Sequence, residues 1–175
     1  FAVDMDDENL LSRVLSFANY DGTDEEACTQ FNIRLKPGWN CEKARFQISS
    51  LREPEECLER ITFRPFDNRW IFYHDGAVWR TVRKVMEQMI EVKNLAFISA
   101  RSNKSSKMDH FFITRYLTEV KTGESTTGSA LFPTINKDLS SALNSSLTSK
   151  VQELFPFATD VDIIHYIYAI MYSKS

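Results

Sequence analysis

The chain has 175 residues, of which 43% are hydrophobic and 26% charged. That is long enough to bury a core without disulfide or metal staples, and the composition argues against a disordered tail. The formal net charge of −3 is too small to mark the whole protein as a polyanion binder, and no run approaches the ~18 apolar residues of a membrane span. Phe1-Ala2-Val3-Asp4 lacks the charged start and cleavage site of a signal peptide, so a cytoplasmic location is expected, and the chain reads as a piece of something longer. Cys28, Cys41 and Cys57 are widely spaced and form no CxxC, so reduced thiols are expected rather than a zinc site or a disulfide framework.

The charge is unevenly spread. Residues 1–63 carry 7 Lys+Arg against 13 Asp+Glu, residues 64–121 carry 11 against 6, and residues 122–175 carry 3 against 5. A basic middle inside an acidic chain points to a local surface facing a polyanion; the plainer alternative is a solvated charged face.

Asp6 to Tyr20 predicts a first helix, with Leu10, Leu11, Val14, Leu15 and Phe17 as its apolar stripe and Asp6, Asp7 and Glu8 suiting the positive end of its dipole. Asp21-Gly22 ends it. Thr23-Asp24-Glu25-Glu26 has capping-box spacing and predicts a second helix to about Phe31. Pro37-Gly38 is a turn, and Asn40 caps a third helix through Ser49. Glu53-Pro54-Glu55-Glu56 starts a short helix ending near Arg60.

Ile61-Thr62-Phe63 begins a strand that Pro65 stops, and Arg69 to Tyr73 is a stronger one. Asp75-Gly76 turns the chain. Trp79 to Val92 predicts a helix, and Leu95 to Ser99 a short buried strand. The strand–helix–strand order predicts a parallel pair joined by a right-handed crossover. Residues 101–107 form a polar loop with three positive charges. Strands are expected over His110–Tyr116 and Ala130–Phe132, with a loop or hairpin tip between. Helices are expected over Ser140–Phe155 and Val161–Tyr172, the last unusually apolar.

No catalytic constellation stands out. His74, His110 and His165 have neither HxH nor HxxxH spacing, and there is no GxSxG elbow, P-loop or dinucleotide fingerprint. Nucleic-acid binding is better supported. Arg101, Asn103, Lys104 and Lys107 share one loop, and these residue types pair with base edges and phosphates. Arg80, Arg83 and Lys84 repeat at helical spacing and suit a phosphate track. Trp70, Phe72 and Trp79 are expected to pack rather than stack on bases.

Phe63-Arg64-Pro65-Phe66-Asp67-Asn68-Arg69-Trp70-Ile71-Phe72-Tyr73 resembles the YRPFD-x-R-x-x-Y signature of C-terminal specificity domains in Type ISP restriction–modification enzymes and related adenine-specific DNA methyltransferases. Further pieces follow in the same order. They are Arg83-Lys84-Val85-Met86, Asn94-Leu95-Ala96-Phe97-Ile98 with Arg101, His110-Phe111-Phe112-Ile113-Thr114, Leu131-Phe132-Pro133, and Ile164-His165-Tyr166-Ile167-Tyr168-Ala169-Ile170. Thr134-Ile135-Asn136 departs from the family's aromatic-rich continuation. The methyltransferase's NPPY-type loop and cofactor motif do not occur.

The resemblance thus implies the non-catalytic recognition part of a larger enzyme. The expected fold is α+β: an acidic helical N-terminal lobe over residues 1–60, then a DNA-recognition domain over 61–175 with a small mixed β-sheet and C-terminal helices, in one compact unit with the lobe. The implied function is recognition of a double-stranded DNA sequence for an upstream adenine-N6 methyltransferase domain of the same chain, which uses S-adenosylmethionine and in Type ISP relatives is fused to a helicase and nuclease. Base reading is assigned to Arg101, Asn103, Lys104, Lys107, Arg115 and Lys121, and phosphate positioning to Arg64, Arg69, Arg80, Arg83 and Lys84; no cofactor or metal is assigned to these residues. Two alternatives stay open: a protein-docking module within the same enzyme, and a free-standing enzyme using an acid–histidine pair.

Overall fold

Each N-terminal helix is started by a side chain that accepts an otherwise unpaired backbone N–H. In the computed structural model, which describes residues 1–90, 92–100, 110–123 and 128–173, Asp6 caps α1 (Asp7–Ala18) through the amide of Asn9 at 2.7 Å. Thr23 and Glu26 close the predicted capping box on α2 (Asp24–Gln30), and Asn40 caps α3 (Cys41–Ser49) through the Lys43 amide. The chain divides into two compact units, Phe1–Ile61 with Asn68–Val82, and Thr62–Asp67 with Arg83–Ser175.

In the first unit the apolar stripes of α1, α2 and α3 converge on Leu10, Val14, Phe17, Ala27, Ala44, Ile48 and Phe72, with Phe17 and Phe72 fully buried. β1 (Val3–Asp4) pairs antiparallel with β3 (Asp67–Phe72), Val3 facing Ile71 and Asp4 facing Trp70. Arg13 of α1 ties that edge down, bonding the Asp4 carboxylate and the carbonyls of Phe1 and Val3; the guanidinium holds the Asp4 carboxyl below its usual range. Arg45 similarly bonds Asp24 and the carbonyls of Gly22 and Tyr20. Gly76 sits at a close approach: a Cβ there would lie 3.0 Å from the Ala44 carbonyl oxygen and from Ile48, so these neighbours would have to shift to admit one.

Local contacts correct two predicted helices of this region. The segment after Glu53 makes only a 3-10 turn, Pro54–Cys57, and runs straight into β2 (Leu58–Arg64). The helix expected from Trp79 starts at Arg83, because residues 75–82 are held in a loop. The Tyr73 hydroxyl donates to the Thr81 carbonyl, the Thr81 hydroxyl to Asp75, and Trp79 Nε1 to the Pro37 carbonyl. Val82 closes the loop at φ +47°. These bonds outweigh a helix propensity that at Thr81 and Val82 is weak to begin with.

The second unit is built on a three-stranded antiparallel sheet with β4 (Ala96–Ala100) in the middle, β5 (Phe111–Thr114) on one side and β7 (Ser129–Pro133) on the other. Phe97 faces Ile113 and Phe132, and Ile98 faces Phe112 and Leu131. The expected parallel pairing of β4 with the preceding strand is therefore wrong: both edges of β4 are taken by later, antiparallel strands. α4 (Arg83–Ile90) packs on β7 and on β6 (Leu117–Thr118), α6 (Asp160–Tyr172) packs on β5, and α5 (Ser145–Leu154) packs on α6. α5 starts five residues later than predicted, capped by Asn144.

Asn94, 1% exposed, joins α4 to the sheet. Its amide donates to the Gln88 and Ile135 carbonyls and its oxygen accepts from the Leu95 and Ile135 amides. Fully buried Thr134 returns two bonds to the Leu95 carbonyl. The departure from the family pattern at residues 134–136 is thus absorbed by polar contacts rather than aromatic packing. The α+β class holds, with two small sheets in place of one. Among the described residues, no helix is long and apolar enough to cross a membrane.

Candidate nucleic-acid interface

A buried hydroxyl is tolerated only when it is paired. Four threonines in the second unit satisfy one another. Thr62 and Thr114 touch through their hydroxyls at 2.6 Å, and Thr118 and Thr122 through theirs at 2.9 Å. The Thr122 hydroxyl lies 2.8 Å from the Thr62 carbonyl and 2.7 Å from that of Glu119, whose own amide donates to Thr62. All four are at most 6% exposed. The Tyr116 amide donates to the Thr114 hydroxyl, closing the tight turn between β5 and β6.

This knot fixes three of the predicted DNA contacts. Arg64 lies two residues past Thr62, Arg115 directly follows Thr114, and Lys121 directly precedes Thr122. Arg64 Nη1 is 3.0 Å from the Glu119 carboxylate, and the Lys121 amide donates to the same oxygen. The Arg64 guanidinium also lies 4.3 Å over the Phe63 ring. Arg64 is therefore clamped and partly neutralised, which suits positioning more than direct readout. Arg115 and Lys121 are exposed, and no carboxylate among the described residues pairs with either. Tyr116 and Val120 share this exposed rim.

Other candidates lie elsewhere. On α4, Arg83 and Lys84 are exposed; Arg83 shares Glu87 with Lys137, at 3.6 and 2.8 Å. The Lys137 ammonium, with Arg83 behind it, holds the Glu87 carboxyl below its usual range. In the first unit, Arg69 is half-buried in β3, while Arg80 lies exposed with its guanidinium 4.3 Å over the Trp79 ring. Trp79 is 44% exposed, so of the three aromatics expected to pack, Phe72 is core, Trp70 half-buried beneath Arg60, and Trp79 a surface plate. Trp79, Arg80, Lys43 and Asp75 border a polar cavity of about 350 Å³. Arg101, Asn103, Lys104 and Lys107 lie outside the described residues. His74 Nδ1 accepts the Gly76 amide, a turn-stabilising contact. Among the described residues, no group of three or more His, Cys, Asp or Glu is arranged to hold a metal ion.

Residues 124–127 also lie outside the described set. What sequence reasoning missed was that the threonines of this stretch pair with one another and with Thr62. Thr114, Thr118 and Thr122 recur every four residues, the only hint available, and resemble an ordinary polar loop until Thr62 is brought beside them.

The geometry is that of a small binding scaffold presenting cations on short, internally braced turns. The model of the Type ISP C-terminal specificity domain matches residues 1–175, and the chain belongs to that family. No protein of curated function matches in sequence. Among solved structures the fold is similar to the ATP-dependent Type ISP restriction–modification enzyme LlaBIII bound to DNA. That match has 17% identity and a TM-score of 0.60, covering 98% of this chain and 12% of that one. It is similar also to a cryo-EM structure of DrdV with DNA, at 12% identity and TM-score 0.58, covering 97% of this chain and 18% of that one. The chain thus spans less than a fifth of the length of either.

Proposed function

We propose that this chain selects the DNA sequence on which a larger restriction–modification enzyme acts. It holds duplex DNA so that an adjacent adenine methyltransferase domain can flip its target base and transfer a methyl group from S-adenosylmethionine. The observation carrying this reading is the match of the whole chain to a specificity-domain family; two solved structures with a similar fold, both of much longer chains, are complexes with DNA. Arg115 and Lys121, fixed by the threonine knot, and the loop residues Arg101, Asn103, Lys104 and Lys107 read or approach the bases. Arg69, Arg80, Arg83 and Lys84 contact phosphates, and Arg64 orients the Glu119–Lys121 turn.

The test is Arg115→Ala with Lys121→Ala in the full-length protein, using duplexes selected from a random pool. Each lost phosphate contact lowers the slope of log K against log salt by ~0.9, whereas a lost base contact relaxes the selected sequence at one position. Unchanged affinity, salt slope and selected sequence would remove both residues from the interface.

A second reading, docking to another protein surface, is favoured by one feature. Leu154, Phe155, Phe157 and Tyr166 line an apolar cleft of about 820 Å³ at the α5–α6 turn, and all four are at least 65% exposed. Such a patch is typical of interaction sites. The two readings are compatible, since a recognition domain must be held against its catalytic neighbour.

A further inference from the structure

Phe66 is the exposed aromatic that the arrangement of cations leaves unexplained. It forms, with Pro65, the two-residue turn between β2 and β3, and its φ is +62°. A turn with Pro first and a positive φ second ordinarily takes Gly or Asn at the second place, because a Cβ is strained there. Instead the chain puts a benzyl group there and leaves it 93% exposed. Neither choice helps this unit fold. Val82 and Leu139 also have positive φ, but Phe66 is the most exposed of the three and the aromatic one.

The surroundings of the ring indicate what it meets. Pro65 stiffens the turn on one side. Arg64, immediately before it, is fixed against the Phe63 ring and Glu119, and the Lys121 amide is held on the same carboxylate. Lys121 and Arg115 stand exposed at the two turns that the threonine knot braces. A stiff tip carrying an apolar ring, with an arginine immediately before it and further exposed cations on the same unit, is how architectural proteins enter a base stack and pry one step open.

We infer that Phe66 is a wedge that inserts between two base pairs of bound duplex DNA, at an easily unstacked step such as pyrimidine–purine. This deepens the DNA-recognition reading and rests on it. The wedge places the protein on a deformable step and so contributes to sequence selection without a hydrogen bond to a base.

The experiment uses the full-length protein and its selected duplex, with 2-aminopurine placed in turn at each position of the site. Binding of the wild type raises fluorescence at the adenine that the methyltransferase flips and, separately, at one further step. Phe66→Ala and Phe66→Gly abolish the rise at that further step and weaken specific binding about tenfold, the scale of one lost stacking contact. Phe66→Gly melts at or above the wild-type temperature, because glycine relieves the turn. The inference is overturned if no step besides the flipped base brightens in the wild type, or if both variants keep that second signal and the affinity. It is equally overturned if both variants melt several degrees lower, which would place the ring in a protein contact. Arg115→Ala with Lys121→Ala separates the two readings: weaker binding there with Phe66→Ala unaffected refutes the wedge alone, and loss of neither refutes DNA recognition by this face.

Discussion

Thr122→Val removes one oxygen from the centre of the threonine knot and keeps the side chain's shape. The Thr122 hydroxyl has a single proton, which goes to the carbonyl of Thr62 or of Glu119, at 2.8 and 2.7 Å, while its lone pairs receive Thr118 at 2.9 Å. The substitution therefore deletes one donated and one accepted bond. The Thr62 carbonyl keeps the Glu119 amide, and the Thr118 hydroxyl keeps a 3.3 Å contact with the Glu119 carbonyl, so neither is wholly orphaned. At about 1 kcal/mol for each net bond the loss is about 2 kcal/mol. For a protein of this size that is about 4–8 °C in Tm. Urea unfolding of the full-length protein followed by tryptophan fluorescence measures it. A cycle with Thr118→Val should show a coupling of about 1 kcal/mol, since both singles break the same contact. DNA affinity should fall as well, although no charge has changed, because Lys121 loses its brace. Stability within about 0.5 kcal/mol of wild type, the ordinary range for a surface change, would refute the claim that the knot is satisfied through this hydroxyl.

Two more outcomes follow from buried polar groups. Asn94→Ala strips partners from two carbonyls and two amides at once and should lower stability by about 3 kcal/mol, with Asn94→Asp, which keeps both acceptor bonds, falling in between; urea midpoints decide the order. Glu59 is half-buried, and desolvation holds its carboxyl above the usual value of 4.5. A raised carboxylate weakens the fold above its folded pKa and ceases to do so below the unfolded one. Glu59→Gln should therefore raise Tm at pH 7 by about 1 °C, a small gain for a group still partly in water, and thermal melts below pH 4.5 should show no difference.

Local chemistry was readable from the sequence where it was complete within a few residues. The Thr23–Glu26 box and the Asn40 cap lie three residues from what they bind, and both helices begin where those signals put them. The Trp79 start failed because the contacts that hold residues 75–82 open come from Tyr73, Asp75 and Pro37. The parallel crossover failed for a related reason: pattern gives the existence of β4 and not its partners, which lie up to 37 residues onward in sequence. At the candidate site, residue type alone singled out Arg64, Arg115 and Lys121. What joins them is a set of threonine contacts spanning 52 and 60 residues, which no window along the chain contains. The same holds for Cys28 and Cys41. They share no motif, yet their sulfurs lie 3.2 Å apart in the core, and burial pushes the Cys41 thiol up to about 12.

The backbone passes from one compact unit to the other after Ile61, after Asp67 and after Val82. Altering target choice by transplanting a relative's segment therefore cannot be done with a single splice point. A hexapeptide, Thr62 through Asp67, must travel together with everything from Arg83 onward, or the graft will carry Arg115 and Lys121 without the threonine that seats them.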